Sequence, residues 1–90
     1  SNINGFEARI YPAFASIGIN SDDLVFSSHN SGFSNSVSFT LPQMNKEKFF
    51  NILNNYNQTL DSVFSKLGKV YLSDIGNNML DIRIDSHPFN

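Results

Sequence analysis

Hydrophobic positions along the chain change period several times, and each change predicts an element. Residues 6–11 alternate Phe6, Ala8 and Ile10 against Glu7, Arg9 and Tyr11, the period of two expected of a half-buried strand. Pro12 interrupts the alternation. Because proline lacks an amide donor, 12–19 is either an edge strand or one short helical turn with Pro12 in its first position and Gly18 as its cap. Asn20, Ser21, Asp22 and Asp23 form a turn cluster, and 24–28 and 33–41 on either side of 29–32 predict a hairpin. With Ser28 facing Phe33, Phe26 facing Asn35 and Leu24 facing Val37, the apolar side collects Leu24, Phe26, Phe33, Val37 and Phe39. The opposite side then carries Ser27, Ser34, Ser36 and Ser38, a hydroxyl face.

From 45 to 67 the period lengthens. Phe49, Phe50, Leu53, Tyr56, Leu60, Val63, Phe64 and Leu67 recur at spacings of three and four, which predicts one long amphipathic helix. Asn45 is placed as its N-cap with Glu47 in the first turn, and Gly68 is its stop. The run Asn54, Asn55, Tyr56, Asn57 is poor in helix formers, so a break or kink belongs there if anywhere, although the apolar stripe runs through it in phase. Residues 69–73 and 79–85 predict a second hairpin around 74–78. Pairing Leu72 with Leu80 and Val70 with Ile82 sets Tyr71 across from Asp81 and Lys69 across from Arg83, with Asp81 and Asp85 offsetting the two cations. No repeat or linker divides these pieces. Residues 1–90 are expected to form one α+β domain, an antiparallel sheet of four to five strands with one long amphipathic helix packed on one face. An unpaired strand near Pro12 would offer an edge for dimerisation.

Composition sharpens this picture. Thirteen Asn and thirteen Ser stand beside nine Phe, with no Trp and no Cys, and only 16% of residues are charged against about 25% in an average domain. A polar, weakly charged surface over a Phe-rich core follows. Six scattered Lys and Arg against eight Asp and Glu give a net charge of −2, which argues against nucleic acid and against an anionic membrane, both of which need concentrated cations. The longest apolar run is far too short to span a bilayer, no secretory leader opens the chain, and a soluble protein is expected. Ser1-Asn2, with no initiator Met, reads as a scar of tag cleavage. Lack of Cys removes disulfides, thiolate nucleophiles and thiolate metal sites, and assigns no compartment.

Candidate chemistry can be weighed against this layout. His29 and His87 invite the acid/base reading of a small nuclease or hydrolase, with Glu7 or Asp85 as orienter. Solvated histidines at a hairpin tip and in a tail explain them more simply, and the cations needed for phosphate chemistry are few. Asp81, Asp85 and His87 could be drawn as a metal site. Same-face strand residues lie about 6.5–7 Å apart, however, and Arg83 between the carboxylates favours an outward ion-paired row. Asp74, Asn77, Asn78 and Asp81 match a calcium loop in residue type but not in spacing, and are read as a hairpin turn. The sequon Asn57-Gln58-Thr59 falls inside the predicted helix and is discounted. The five glycines are isolated at turns, so neither a Gly-x-Ser-x-Gly elbow nor a phosphate loop occurs. No catalytic residue, metal or cofactor is assigned.

What is left is a polar sheet face edged with Asp, which suits protein recognition. In length, acidity, strand-helix-strand order and Asn/Ile/Phe-rich composition the chain resembles the small immunity proteins of bacterial toxin systems. That resemblance implies a non-enzymatic inhibitor that binds a cognate toxin domain, often a basic one, and a cytoplasmic setting where the toxin is a nuclease. It assigns no residues. From the reading of the faces, the candidate partner-binding residues are Tyr71, Asp74, Asp81 and Asp85 on the last hairpin, and Asp22 and Asp23 in the turn. The rival readings are an excised structural module of a larger protein and the histidine-dependent hydrolase.

Overall fold

The computed structural model describes residues 4–30 and 36–86, with side chains over 8–26 and 36–86. It is an α+β fold in which helix α1 (Asn4–Ala15) leads through a 3-10 turn (Ser21–Asp23) into strands β1 (Val25–Asn30) and β2 (Ser36–Pro42). Helices α2 (Lys46–Asn55) and α3 (Leu60–Phe64) follow, then strands β3 (Gly68–Asp74) and β4 (Met79–Ser86). The four strands form one antiparallel sheet in the order β1-β2-β4-β3.

The first element corrects the sequence reading, because 6–11 lies in a helix and not in a strand. Ile10, Phe14 and Ile17 are all buried at spacings of four and three, and this helical stripe prevails over the shorter alternation of Phe6, Ala8 and Ile10. Pro12 sits inside α1 at an exposed position, where it offers no amide to the Ala8 carbonyl. The helix ends as a Schellman motif: the Gly18 amide donates to Ala15 O and the Ile19 amide to Phe14 O, both at 3.0 Å, with Gly18 at φ 80. Gly18 is thus a cap, as expected, but of a helix three turns long. With Pro12 in α1, the sheet edges among the described residues are β1 and β3.

The single long helix is also corrected: it is two helices. Asn45 caps α2 as expected, its side chain accepting from the Lys48 amide at 2.8 Å. A second Schellman motif stops α2, with Asn57 at φ 56 and the Gln58 amide donating to Leu53 O at 2.8 Å. Thr59 then caps α3, exchanging hydrogen bonds with Ser62. Asparagine tolerates the left-handed conformation better than most residues, so the break falls within the Asn-rich run. Tyr56, in phase with the apolar stripe, is left exposed.

Both hairpins keep their strands and change register. In the first, Phe26 pairs with Phe39 and not with Asn35, Val37 pairs with His29 and not with Leu24, and a bulge falls at Ser27. Phe33, Ser34 and Asn35 lie outside the described residues. In the second, Leu72 pairs with Ile82, Val70 with Ile84, Tyr71 with Arg83 and Lys69 with Asp85. That is a slip of two from the expected register, which leaves every side chain on its expected face and replaces the Lys69–Arg83 opposition with an opposite-charge pair. A tight turn closes this hairpin, with Asn77 and Asn78 both at φ 54 and the Met79 amide donating to Gly76 O at 3.0 Å.

The core lies between one sheet face and the helices. Val37, Phe39, Leu41, Leu80, Ile82 and Ile84 meet Ile10, Phe14, Phe49, Leu53 and Phe64, all buried. Phe39 on β2 is the hub, its ring edge-on to Tyr11 at 6.1 Å, Phe14 at 6.3 Å and Phe26 at 5.7 Å. Since the described helices share this face, none of them covers the other face of the sheet, called the open face below. Among the described residues no helix is long and apolar enough to cross a membrane.

Candidate functional site

Alternation along each strand decides which side chains the open face carries. Ser36, Ser38 and Thr40 come from β2, Asp81, Arg83 and Asp85 from β4, and Lys69, Tyr71 and Ser73 from β3. The register stacks them in three rows: Ser36, Asp85, Lys69; then Ser38, Arg83, Tyr71; then Thr40, Asp81, Ser73. Arg83 occupies the middle of this grid. Its Nε lies 3.2 Å from Asp85 Oδ1, and its guanidinium carbon is 4.2 Å from the centroid of the Tyr71 ring. Lys69 Nζ approaches the same ring at 5.6 Å. Tyr71, 37% exposed, is therefore an aromatic platform attended by two cations, one of them fixed by a carboxylate. Ser36 belongs to this face by register yet is buried.

The six candidate residues are not brought to one place. Tyr71, Asp81 and Asp85 share the open face. Asp74 has the opposite parity and lies at the end of β3, where its Oδ1 accepts from the Lys46 amide at 2.8 Å. Lys46 is the first residue of α2, so Asp74 satisfies an amide that the helix leaves unpaired and sets a negative charge at the helix start. Asp74→Ala is accordingly expected to lower stability by about 1 kcal/mol, read as a lower urea midpoint with an unchanged slope. Asp22 and Asp23 lie in the 3-10 turn that leads into β1, the edge of the sheet remote from β3. Asp23 accepts from the Asn20 amide at 3.1 Å, and both line a hollow with Ile19, Val25, Leu41 and Met44.

Arg83 and Lys69 are the members of the face that the sequence reading passed over, since a register two residues off made them like charges in opposition. The signal was available: pairing Tyr71 with Arg83 satisfies the same alternation, removes the clash and gains a cation–π contact. With Lys69 and Arg83 against Asp81 and Asp85, the open face is balanced in charge and not acidic as a whole.

The alternative chemistries fare differently. The ion-paired row read for Asp81, Arg83 and Asp85 forms between the last two, and the predicted turn closes over 75–78, with Asp74 ending β3 and engaged by α2. Among the described residues no three His, Asp or Glu side chains converge as a metal site would require. The sequon lies between α2 and α3 and not within a helix. His29 is placed by its backbone in β1, and His87 lies outside the described residues. Comparison of the chain with protein-family models, with curated proteins and with solved structures finds no match.

Proposed function

We propose that this protein is a non-enzymatic binding module that docks a protein partner on the open face of its sheet. The observation that carries the reading is Tyr71, an exposed ring held beside Arg83 and Lys69 on a regular sheet whose opposite face is packed core. Tyrosine and arginine are enriched among the residues that dominate protein interfaces, tyrosine for a large, rigid ring with one polar end and arginine for its planar fork of donors, which also stacks on rings. The hydroxyls of Ser38, Thr40 and Ser73 and the carboxylate of Asp81 surround the platform with groups that can hydrogen-bond at a polar rim.

The partner class is proposed as a basic toxin domain, with this chain as its immunity protein. Support comes from the net charge of −2 and from the exposed pair Asp22 and Asp23 beside the hollow. The balanced open face contributes little to steering. Contact on the face then governs dissociation, and the acidic turn governs association.

The test is co-purification of the chain with the product of the reading frame beside its own, followed by an assay of that product for inhibition. Tyr71→Ala is expected to weaken the complex about 10- to 100-fold, mainly through faster dissociation. Neutralising Asp22 and Asp23 together is expected to slow association and flatten its salt dependence. Inhibition that survives Tyr71→Ala unchanged overturns the assignment of the face, and loss of all activity on His29→Ala or His87→Ala with binding intact points to the hydrolase.

A further inference from the structure

The two edges of the sheet are not equivalent. β1 is interrupted by its bulge at Ser27, an irregularity that twists an edge out of line for pairing. β3 runs for seven residues in unbroken register with β4, free of proline and bulge. Among the described residues, its backbone makes no hydrogen bond on the side away from β4. An edge of this kind is a template for another strand unless something blunts it, and Lys69 is the only cation along it.

The polarity of β3 is symmetric about Tyr71. Lys69, Val70, Tyr71, Leu72 and Ser73 read polar, apolar, aromatic, apolar, polar, with the positive charge at one end and Asp74 at the other. A two-fold interface requires such a self-complementary patch. Antiparallel pairing with a copy of itself brings the positive end of one strand to the negative end of the other, whereas parallel pairing aligns like with like. Val70 and Leu72 face the helices but remain half-buried. Beside Val70, a groove of about 480 Å³ between α3 and β3 is lined by Leu60, Phe64 and Gly68 among others.

We infer that the β3 edge pairs antiparallel with the β3 edge of a second copy, centred on Tyr71, to make one continuous eight-stranded sheet. This register sets Val70 opposite Leu72 of the second copy on the helix side, so that the half-buried leucine covers the β3 side of the groove. On the open side Lys69 lies opposite Ser73 of the second copy, and the two Tyr71 rings meet at the axis. A slip of two toward the C-terminus sets Asp74 opposite Val70, which the charge disfavours. The open face runs on across the dimer and stays available to a partner. A short edge with one groove partly covered per copy lies at the low end of interface sizes, so the dimer is expected to dissociate in the micromolar range.

Sedimentation of the full chain from about 1 μM to about 1 mM, with two charge variants at Ser73, tests this directly. Ser73→Lys opposes Lys69 of the second copy twice per dimer and is expected to raise the dissociation constant about tenfold, whereas Ser73→Glu is expected to lower it about tenfold. Within one copy Ser73 pairs with Asp81, so folding stability moves in the opposite sense: Lys favours it and Glu opposes it. A change in folding therefore cannot imitate the result. Since the chain has no cysteine, Tyr71→Cys supplies a second readout. Directly opposed strand residues lie about 4.5–5.5 Å apart between Cα atoms, and mild oxidation is expected to link the copies, while Asn54→Cys on α2 stays unlinked. A monomeric mass up to the highest concentration, equal responses to both Ser73 variants, or no preference for the Tyr71→Cys link overturns the inference.

Discussion

Phe39→Ala is expected to bring the protein to the edge of unfolding. The ring is fully buried on an inner strand and is the common partner of Tyr11, Phe14 and Phe26. It therefore ties α1 to the sheet and β1 to β2 at once. Removing a buried phenylalanine costs about 3–5 kcal/mol, the lost transfer energy plus the cavity left where the surroundings cannot close. A chain of this length has a total stability of about 5–13 kcal/mol, so most of the margin is at stake. Thermal unfolding should show the midpoint falling by about 15–30 °C. Phe39→Leu restores most of the volume and should recover all but about 1.5 kcal/mol. Phe26→Ala removes a ring that touches Phe39 from a position 41% exposed, and should cost only about 1 kcal/mol. If Phe39→Ala and Phe26→Ala prove equally mild, Phe39 is not the hub.

The contrast between α1 and the strands shows what could be read from residues alone. Strand faces were legible because one face is apolar: Val37, Phe39 and Leu41, and Leu80, Ile82 and Ile84, are inward by parity whatever the register. Register itself was not legible. A slip of two preserves every face, and only cross-strand chemistry separates the alternatives, as the Tyr71–Arg83 pair shows. In α1 two periods compete over few residues, and the stripe that decides between them, Ile10, Phe14 and Ile17, continues past Pro12, where the alternation predicts a boundary. The long helix failed for a related reason. Its stripe stays in phase across Asn54 to Asn57, so the periodicity could not reveal a stop that depends on one residue, Asn57, entering the left-handed region. The site was partly legible: Tyr71, Asp81 and Asp85 share a face because alternation fixes them there. Asp74 lies beyond the predicted strand, where alternation assigns no face, and its partner, the Lys46 amide, lies 28 positions away and is set by the fold.

The second large effect is expected at Gly68, where β3 begins directly after α3 and Leu67. Its φ of 154 lies where L side chains are rarely found, and a β-carbon built there would overlap the Asp85 carbonyl oxygen and stand 2.7 Å from its carbon and 2.8 Å from Ser86 Cα. These are backbone atoms of the neighbouring strand, so no side chain can rotate aside. Gly68→Ala must either shift β3 away from β4 or adopt the strained backbone, at about 1–3 kcal/mol for the strain alone. Loss of the Gly68–Ser86 and Lys69–Asp85 pairs adds to it, and a total near 4 kcal/mol is expected. Gly76 is the control. It too has a positive φ, of 89, but open space where its β-carbon would lie, so Gly76→Ala should cost only about 1 kcal/mol, the conformational term. Urea unfolding of the two variants separates clash from strain. Amide exchange should show Gly68→Ala fraying the start of β3 and the end of β4 while β2 keeps its protection. Equal, small losses for both glycines would mean that β3 can start elsewhere, and the edge that presents Lys69, Tyr71 and Ser73 would then lack the fixed register on which both the open face and the pairing of two copies depend.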